Sequence, residues 1–279
     1  MKVLKESNEK LKVNYRDNSL LILLSLMGIS FLVRLYYIPF QVPISLDGID
    51  YFSYTVAINK EGYFPEGILG VNFGWSTFLS PIFSLWGSNE MLELMNIQRI
   101  FSSVISVFTA VPIYFLCKTF FKKNISILGA ALFLFAPRII ENSVLGISDA
   151  IYIFFVAVTI MFVFVKETKL FYLSFIFAAL AGFTRYEGLL LIFPLLITFF
   201  IRKDFKKKSI IRVSLGVILF FSIMILINMT AYEPNNSNIL SPIFAGTDYV
   251  SNVVLSDNFD PDRFGDNVEN RFHVFVYDS

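Results

Sequence analysis

Seven stretches of the chain are almost wholly apolar, and charged residues collect between them. They run from Ser19 to Tyr37, Arg99 to Cys117, Ile125 to Ile140, Asp149 to Val165, Leu170 to Phe183, Gly188 to Ile201 and Ile210 to Tyr232. A helix rises 1.5 Å per residue, so the longer stretches reach across a hydrocarbon core of about 30 Å. The pattern predicts an all-α polytopic membrane protein with about seven transmembrane helices. The fifth and sixth stretches are separated only by Thr184-Arg185-Tyr186-Glu187. Each half is roughly 21 Å long as a helix, short for a full crossing. A tilted, partly re-entrant hairpin with Arg185 and Glu187 at its tip is the expectation.

Between the first two stretches lies a long polar-aromatic segment, Ile38 to Gln98. Loops of this length with apolar content of their own are usually functional. Ile49 to Lys60 reads as an interfacial helix with Asp47 at its start, and Trp75 to Trp86 as a second short helix. The run from Gly62 to Gly67 is a turn-rich connection. The chain thus divides into a basic N-terminus (1–18), a transmembrane domain (19–232, with its loop over 38–98) and an acidic tail (233–279).

Charge assigns a side to each segment. If every stretch crosses once and the N-terminus is inside, the inner segments hold 16 of the 23 lysines and arginines but 5 of the 22 acids. Cytoplasmic retention of Lys and Arg produces such an asymmetry. The expected placement is the cell membrane, with a cytoplasmic N-terminus and an extracytoplasmic tail. Residue type sorts as well. Most inner cations are Lys, whereas six of the seven outer ones are Arg. Arg34, Arg99, Arg138 and Arg185 sit at the outer ends of helices. A planar guanidinium grips phosphate at two points, so at least two of the four are expected to serve a phosphate-bearing lipid. Snorkelling to headgroups or pairing with nearby acids is the competing use.

Composition narrows the chemistry. Hydrophobic residues make up 56 % of the chain and the mean hydropathy is +0.65, values of a membrane protein. Cys117 and His273 are the single Cys and the single His. A disulfide, a thiolate zinc site and Ser-His-Asp or Cys-His catalysis all need more than that. Glycine motifs for ATP or NAD are absent. The basic run Arg202 to Lys208 orients a loop and does not mark a nucleic-acid surface. Asp257 to Asp262 resembles a calcium loop but lacks its glycine and terminal glutamate. Asn235, in Asn235-Asn236-Ser237, is the plausible glycosylation sequon.

What remains is a set of carboxylates and arginines at one membrane face: Asp47, Asp50, Arg99, Arg138, Glu141, Asp149, Arg185 and Glu187. A carboxylate can take a proton from an attacking hydroxyl, and arginines can stabilise charge growing on a departing phosphate. Transfer of a sugar from a lipid phosphate makes both demands. The bland alternatives are that Asp47 and Asp149 start their helices and that Glu187 is a structural partner of Arg185.

The ordered series of short segments resembles a family. Ser45-Leu46-Asp47-Gly48-Ile49-Asp50-Tyr51, Asn72-Phe73-Gly74-Trp75 and Pro81 look like the start of the GT-C glycosyltransferases. Asn96-Ile97-Gln98-Arg99, Ala136-Pro137-Arg138-Ile139-Ile140-Glu141-Asn142, Gly146-Ile147-Ser148-Asp149 and Thr184-Arg185-Tyr186-Glu187-Gly188 are similar to segments of its family 39-like, protein-mannosyltransferase-type members, above all archaeal ones. The resemblance covers roughly Leu20 to Tyr232. It implies a membrane glycosyltransferase of the inverting type that moves a hexosyl or pentosyl group from a polyprenyl-phosphate sugar to a protein or lipid acceptor. On that pattern Asp47, then Asp50, is the catalytic acid. Arg138, Arg185 and Arg99 hold the donor phosphate, and Asp149, Glu141 and Glu187 support them. No metal ligands are assigned, although the resemblance leaves use of a divalent ion open. The chain carries fewer spans than the family usually has. It is therefore also read as a non-catalytic subunit that works with a partner chain, and the third reading is a multi-pass lipid or solute transporter.

Overall fold

The computed structural model describes residues 18–45, 47–62, 74–165, 168–203 and 207–231. Most of the basic N-terminus, residues 63–73 (with nearly all of the turn-rich connection Gly62 to Gly67), the acidic tail with its calcium-like run, and the Asn235 sequon lie outside the described residues. Among the described residues the fold is helical throughout, as the hydrophobic pattern predicts. The elements are α1 (Ser19–Tyr37), α2 (Asp47–Glu61), α3 (Gly74–Trp86), α4 (Met91–Phe108), α5 (Ala110–Phe120), α6 (Lys123–Leu134), α7 (Pro137–Val144), α8 (Asp149–Val163), α9 (Thr168–Thr184), a 3-10 helix (Tyr186–Leu191), α10 (Ile192–Lys203) and α11 (Lys207–Ala231). Both helices expected in the long loop are present, as α2 and α3.

Among the described residues, two elements are long and apolar enough to cross a membrane, α1 and the continuous pair Met91–Phe120. A third crossing is formed if the bent pair α6–α7 is one span. In the remaining helices the apolar stretches are shorter, among them Val213–Leu226 within the 25-residue α11.

The breaks have local causes. Pro112 has no N–H for the Phe108 carbonyl four residues back, and α4 ends at Phe108. Thr109 keeps helical angles, so α5 continues almost in line. The 49° bend between α6 and α7 falls at Ala136. A residue before proline is driven out of the helical region, and Ala136 is extended, with ψ 122°. Pro137 then opens α7 where its missing N–H costs nothing.

Three apolar clusters hold the helices together. Leu23 and Met27 of α1 pack on Val107, Ala110 and Tyr114 of α4–α5 and on Ala130 and Leu134 of α6. Trp75, Leu79 and Phe83 of α3 meet Phe52 of α2, Met95 of α4, Phe155 of α8 and Ala181 of α9. Phe175 and Phe183 of α9 join Leu195 and Phe199 of α10 and Phe220 of α11. The loop helices α2 and α3 are therefore not loose interfacial ornaments. Trp75 and Leu79 are wholly buried, so these two helices are part of the core. Large apolar side chains on the outward faces of α1 (Leu21, Leu24, Leu32) and α11 (Leu215, Ile218, Leu226) are exposed, which suits helices facing lipid.

Candidate active site

The site is assembled where α2, the α7–α8 turn and the α9 end meet. Gly146 is the hinge of the α7–α8 turn, with φ +71°, a conformation that costs a side-chain-bearing residue energy. Its carbonyl accepts two buried hydrogen bonds, from Trp75 Nε1 at 2.8 Å and from Gln98 Nε2 at 2.8 Å. The same Gln98 nitrogen donates to the Gly48 carbonyl at 3.0 Å. One amide thus staples the first turn of α2, which carries Asp47, to the turn that launches Asp149. Ser76 Oγ adds a bond to the Tyr51 carbonyl at 3.0 Å, tying α3 to α2.

Asp149 opens α8 but does not merely begin its helix. Asn142 Nδ2 donates to its Oδ2 at 2.7 Å, and Arg185 Nη1 pairs with its Oδ1. Arg185 also reaches Glu187, Nη2 to Oε1 at 3.1 Å and Nε to Oε2 at 3.4 Å. Its guanidinium lies 5.7 Å from the centre of the Tyr152 ring, within cation–π range. Burial opposes the Arg185 charge. The Glu187 hydrogen bond and the charges of Asp149 and Glu187 outweigh it and hold the group above its ordinary range. Backbone geometry supports this placement. Arg185 is extended (φ −151°, ψ 137°) between α9 and the 3-10 helix. Gly188 then folds back against the Ala181 and Gly182 backbone so closely that any Cβ would collide.

Tyr51 links this cluster to α2. Its hydroxyl lies 3.0 Å from Ser148 Oγ, next to Asp149. Burial raises the Tyr51 phenol above its usual range. The Ser148 bond and the Arg185 charge pull it down, while the charges of Asp47 and Asp149 push it up. One phenol therefore feels Asp47, Asp149 and Arg185 together. Asp47 and Asp50 are themselves solvent-exposed, both in the first turn of α2, where the helix dipole favours a carboxylate.

The four arginines grouped by sequence divide into two pairs. Arg34 is fully buried. Its Nε donates to Ser143 Oγ (3.1 Å), Nη2 to Ser106 Oγ (3.2 Å), and Nη1 to the Leu134 and Ser30 carbonyls (3.1 and 3.2 Å) and to Ser30 Oγ. Arg99 is 4 % exposed. It donates to the carbonyls of Pro39 (3.0 Å), Val42 (2.8 Å) and Pro43 (3.0 Å), and Asn96 Nδ2 adds the Phe40 carbonyl at 2.9 Å. Arg99, named from the sequence for the donor phosphate, turns onto the chain itself in this structure. Its terminal nitrogens are spent on the backbone that leads into α2. Arg138 is on the surface, paired at 3.1 Å with Glu141 one turn along α7.

Sequence reasoning named Asp149, Arg185 and Glu187, and the structure brings them together. It missed Gln98, Trp75, Asn142, Ser148, Tyr51 and Tyr152 as parts of the site's frame. Gln98 stands in sequence at the boundary between the long loop and the second apolar stretch, and only its burial in the fold shows that its amide must find partners. Among the described residues, no three His, Cys, Asp or Glu side chains converge as a metal-holding group.

A family model described as dolichyl-phosphate-mannose-protein mannosyltransferase matches residues 79–231, a little over half of the chain. The matched part carries Gln98, Arg138, Asp149, Arg185 and Glu187, and begins after Asp47 and Asp50. No curated protein matches the chain.

Proposed function

Because the chain belongs to the dolichyl-phosphate-mannose-protein mannosyltransferase family, a family of membrane glycosyltransferases using lipid-linked sugars, we propose that it moves a sugar from a polyprenyl phosphate to an acceptor hydroxyl at the outer membrane face. The observation that carries this reading is Arg185. It is a half-buried guanidinium held by Asp149 and Glu187, and it acts on the same phenol as Asp47. On this reading Arg185 is the cation for the leaving phosphate and Asp47 the carboxylate for the acceptor, and both charges bear on Tyr51.

The reaction then runs as a single displacement. The acceptor hydroxyl gives its proton to the Asp47 carboxylate, with Asp50 the second choice. Its oxygen forms a bond to the anomeric carbon as the bond from that carbon to the phosphate oxygen breaks. Polyprenyl phosphate leaves with the electron pair, and the growing charge is met by Arg185. Attack opposite the leaving group inverts the anomeric centre. Arg138 is the second phosphate contact; its only described partner is an exposed neighbour. Asp149 and Asn142 orient Arg185, and Glu141 tethers Arg138. The acceptor is a protein or a lipid, and the segments before α1 and after α11 lie inside and outside respectively.

Transfer of radiolabelled sugar from polyprenyl phosphates in membranes tests the reading. Asp47→Asn is expected to lower transfer by about a hundredfold or more while membrane insertion is unchanged. Transfer at the wild-type level in that variant removes Asp47 from the mechanism.

A further inference from the structure

Arg185 cannot offer its side edge to a phosphate without giving up a partner. Its guanidinium carries five N–H donors, and each of its three nitrogens already donates to Asp149 or Glu187. Asp149 holds the Nη1 end. Glu187 holds the side edge formed by Nε and Nη2, with one oxygen on each nitrogen, at 3.4 and 3.1 Å. Tyr152 lies beneath the plane. Two parallel N–H donors on one edge are the geometry with which an arginine grips a phosphate or a carboxylate in two places. Glu187 therefore occupies that edge with the shape and charge of the group that has to replace it.

The two carboxylates are not equivalent. The Asp149 side chain is 21 % exposed and braced by Asn142 at 2.7 Å. That of Glu187 is 55 % exposed, only two residues from Arg185, and its hydrogen bonds among the described side chains go to Arg185 alone. Displacing Asp149 would leave a mostly buried carboxylate with its charge unpaired and only the Asn142 amide to hold it. Displacing Glu187 costs an exposed ion pair, which is a weak interaction, and the freed carboxylate turns into water.

Resting on the donor-phosphate reading of Arg185, we propose that Glu187 is a built-in stand-in for the donor phosphate. It keeps the guanidinium extended and charged when the site is empty, yields its edge to the incoming lipid phosphate, and returns as polyprenyl phosphate departs. Glu187 is then a residue that sets donor affinity and product release, while Asp149 is the permanent brace. The exchange is a ligand substitution with no covalent step. The donor's phosphodiester carries one negative charge, as Glu187 does, so the exchange replaces like with like and the lipid's own contacts decide its direction.

The test is equilibrium binding of a short-chain polyprenyl phosphate, without sugar, to the detergent-purified full chain. Wild type, Glu187→Gln, Glu187→Ala and Arg185→Ala are compared, with sugar transfer measured in parallel. Removing an exposed competing carboxylate is expected to tighten polyprenyl phosphate by about two- to fivefold in both Glu187 variants, and to lower KM for the donor in the same proportion. Slower release of product lowers kcat in the same variants. Weaker binding in both Glu187 variants would make Glu187 a brace and overturn the proposal. Unchanged binding, with Arg185→Ala still losing the ligand, would overturn it too, and leave Arg185 as the phosphate residue. Unchanged binding in Arg185→Ala would instead remove the reading on which the proposal rests. Glu187 is exposed and makes no core contact, so both of its variants are expected to fold.

Discussion

Arg34 and Arg185 stand at the ends of two apolar helices and look alike in sequence, yet they do opposite work. Arg34 is fully buried with no carboxylate within salt-bridge reach among the described residues. Its charge is spread over three serine hydroxyls and two backbone carbonyls. Those acceptors come from α1, α4, α6 and α7, so the guanidinium is a four-way fastener. Arg185 has two acids, an aromatic face and a partly open side. Hydroxyls and carbonyls are neutral and fixed in place. They satisfy a guanidinium without competing for it by charge, which makes a permanent joint. Carboxylates hold it by charge, and another anion can take their place. The partners, not the arginine, separate structure from chemistry.

The largest effect that sharpens this contrast is Arg185→Ala. It is expected to lower transfer at least a hundredfold, the scale for losing a donor aimed at developing charge, with little change in the yield of folded protein. Loss of folded protein at equal specific activity would collapse the two arginines into one class. Next comes Arg34→Met, which keeps the length but leaves three hydroxyls and two carbonyls short of a donor. A cost of about 3 kcal/mol is expected, read as a fall of several degrees in the apparent melting temperature in detergent. The molecules that still fold should transfer sugar at near wild-type rate. A selective loss of kcat without destabilisation would move Arg34 to the active-site class. The smallest effect is that of Arg138→Ala. Its pair with Glu141 is exposed at both ends (77 % and 58 %), so stability should shift by no more than about 0.5 kcal/mol. Donor KM should rise a few-fold with kcat nearly unchanged. A melting shift without a KM shift would return Arg138 to the role of a surface ion pair.

Much of the frame was legible from the chain. The first, fourth, fifth and seventh apolar stretches became helices at nearly the expected bounds, whereas the second begins at Met91 and the third is split in two at Ala136. Pro137 and Pro112 mark two breaks for reasons that need only the missing N–H and the clash of the ring. The Arg185–Glu187 tip was legible too, because two charges in an apolar run demand partners. The role of Arg99 was not. The apolar stretch suggested a helix that begins at Arg99, whereas α4 begins at Met91 and carries Arg99 well inside it, on a buried face. Only the packing of residues 39–43 over α4 brought three carbonyls to its terminal nitrogens. Gln98 is similar. Its amide matters because Gly48 and Gly146, 98 residues apart in the chain, present their carbonyls to one nitrogen, and no local pattern records that distance.

The sequence by itself determined that this is a helical membrane protein, where its helices break, and which charges gather between them. Those properties follow from transfer of side chains into lipid and from backbone sterics, and both act residue by residue. The tertiary structure alone decided which arginine is a fastener and which is a phosphate candidate, and that Asp149 belongs to Arg185 and Asn142. A buried charge is satisfied by whatever groups the fold carries to within about 3 Å, and that is a property of the assembled helices.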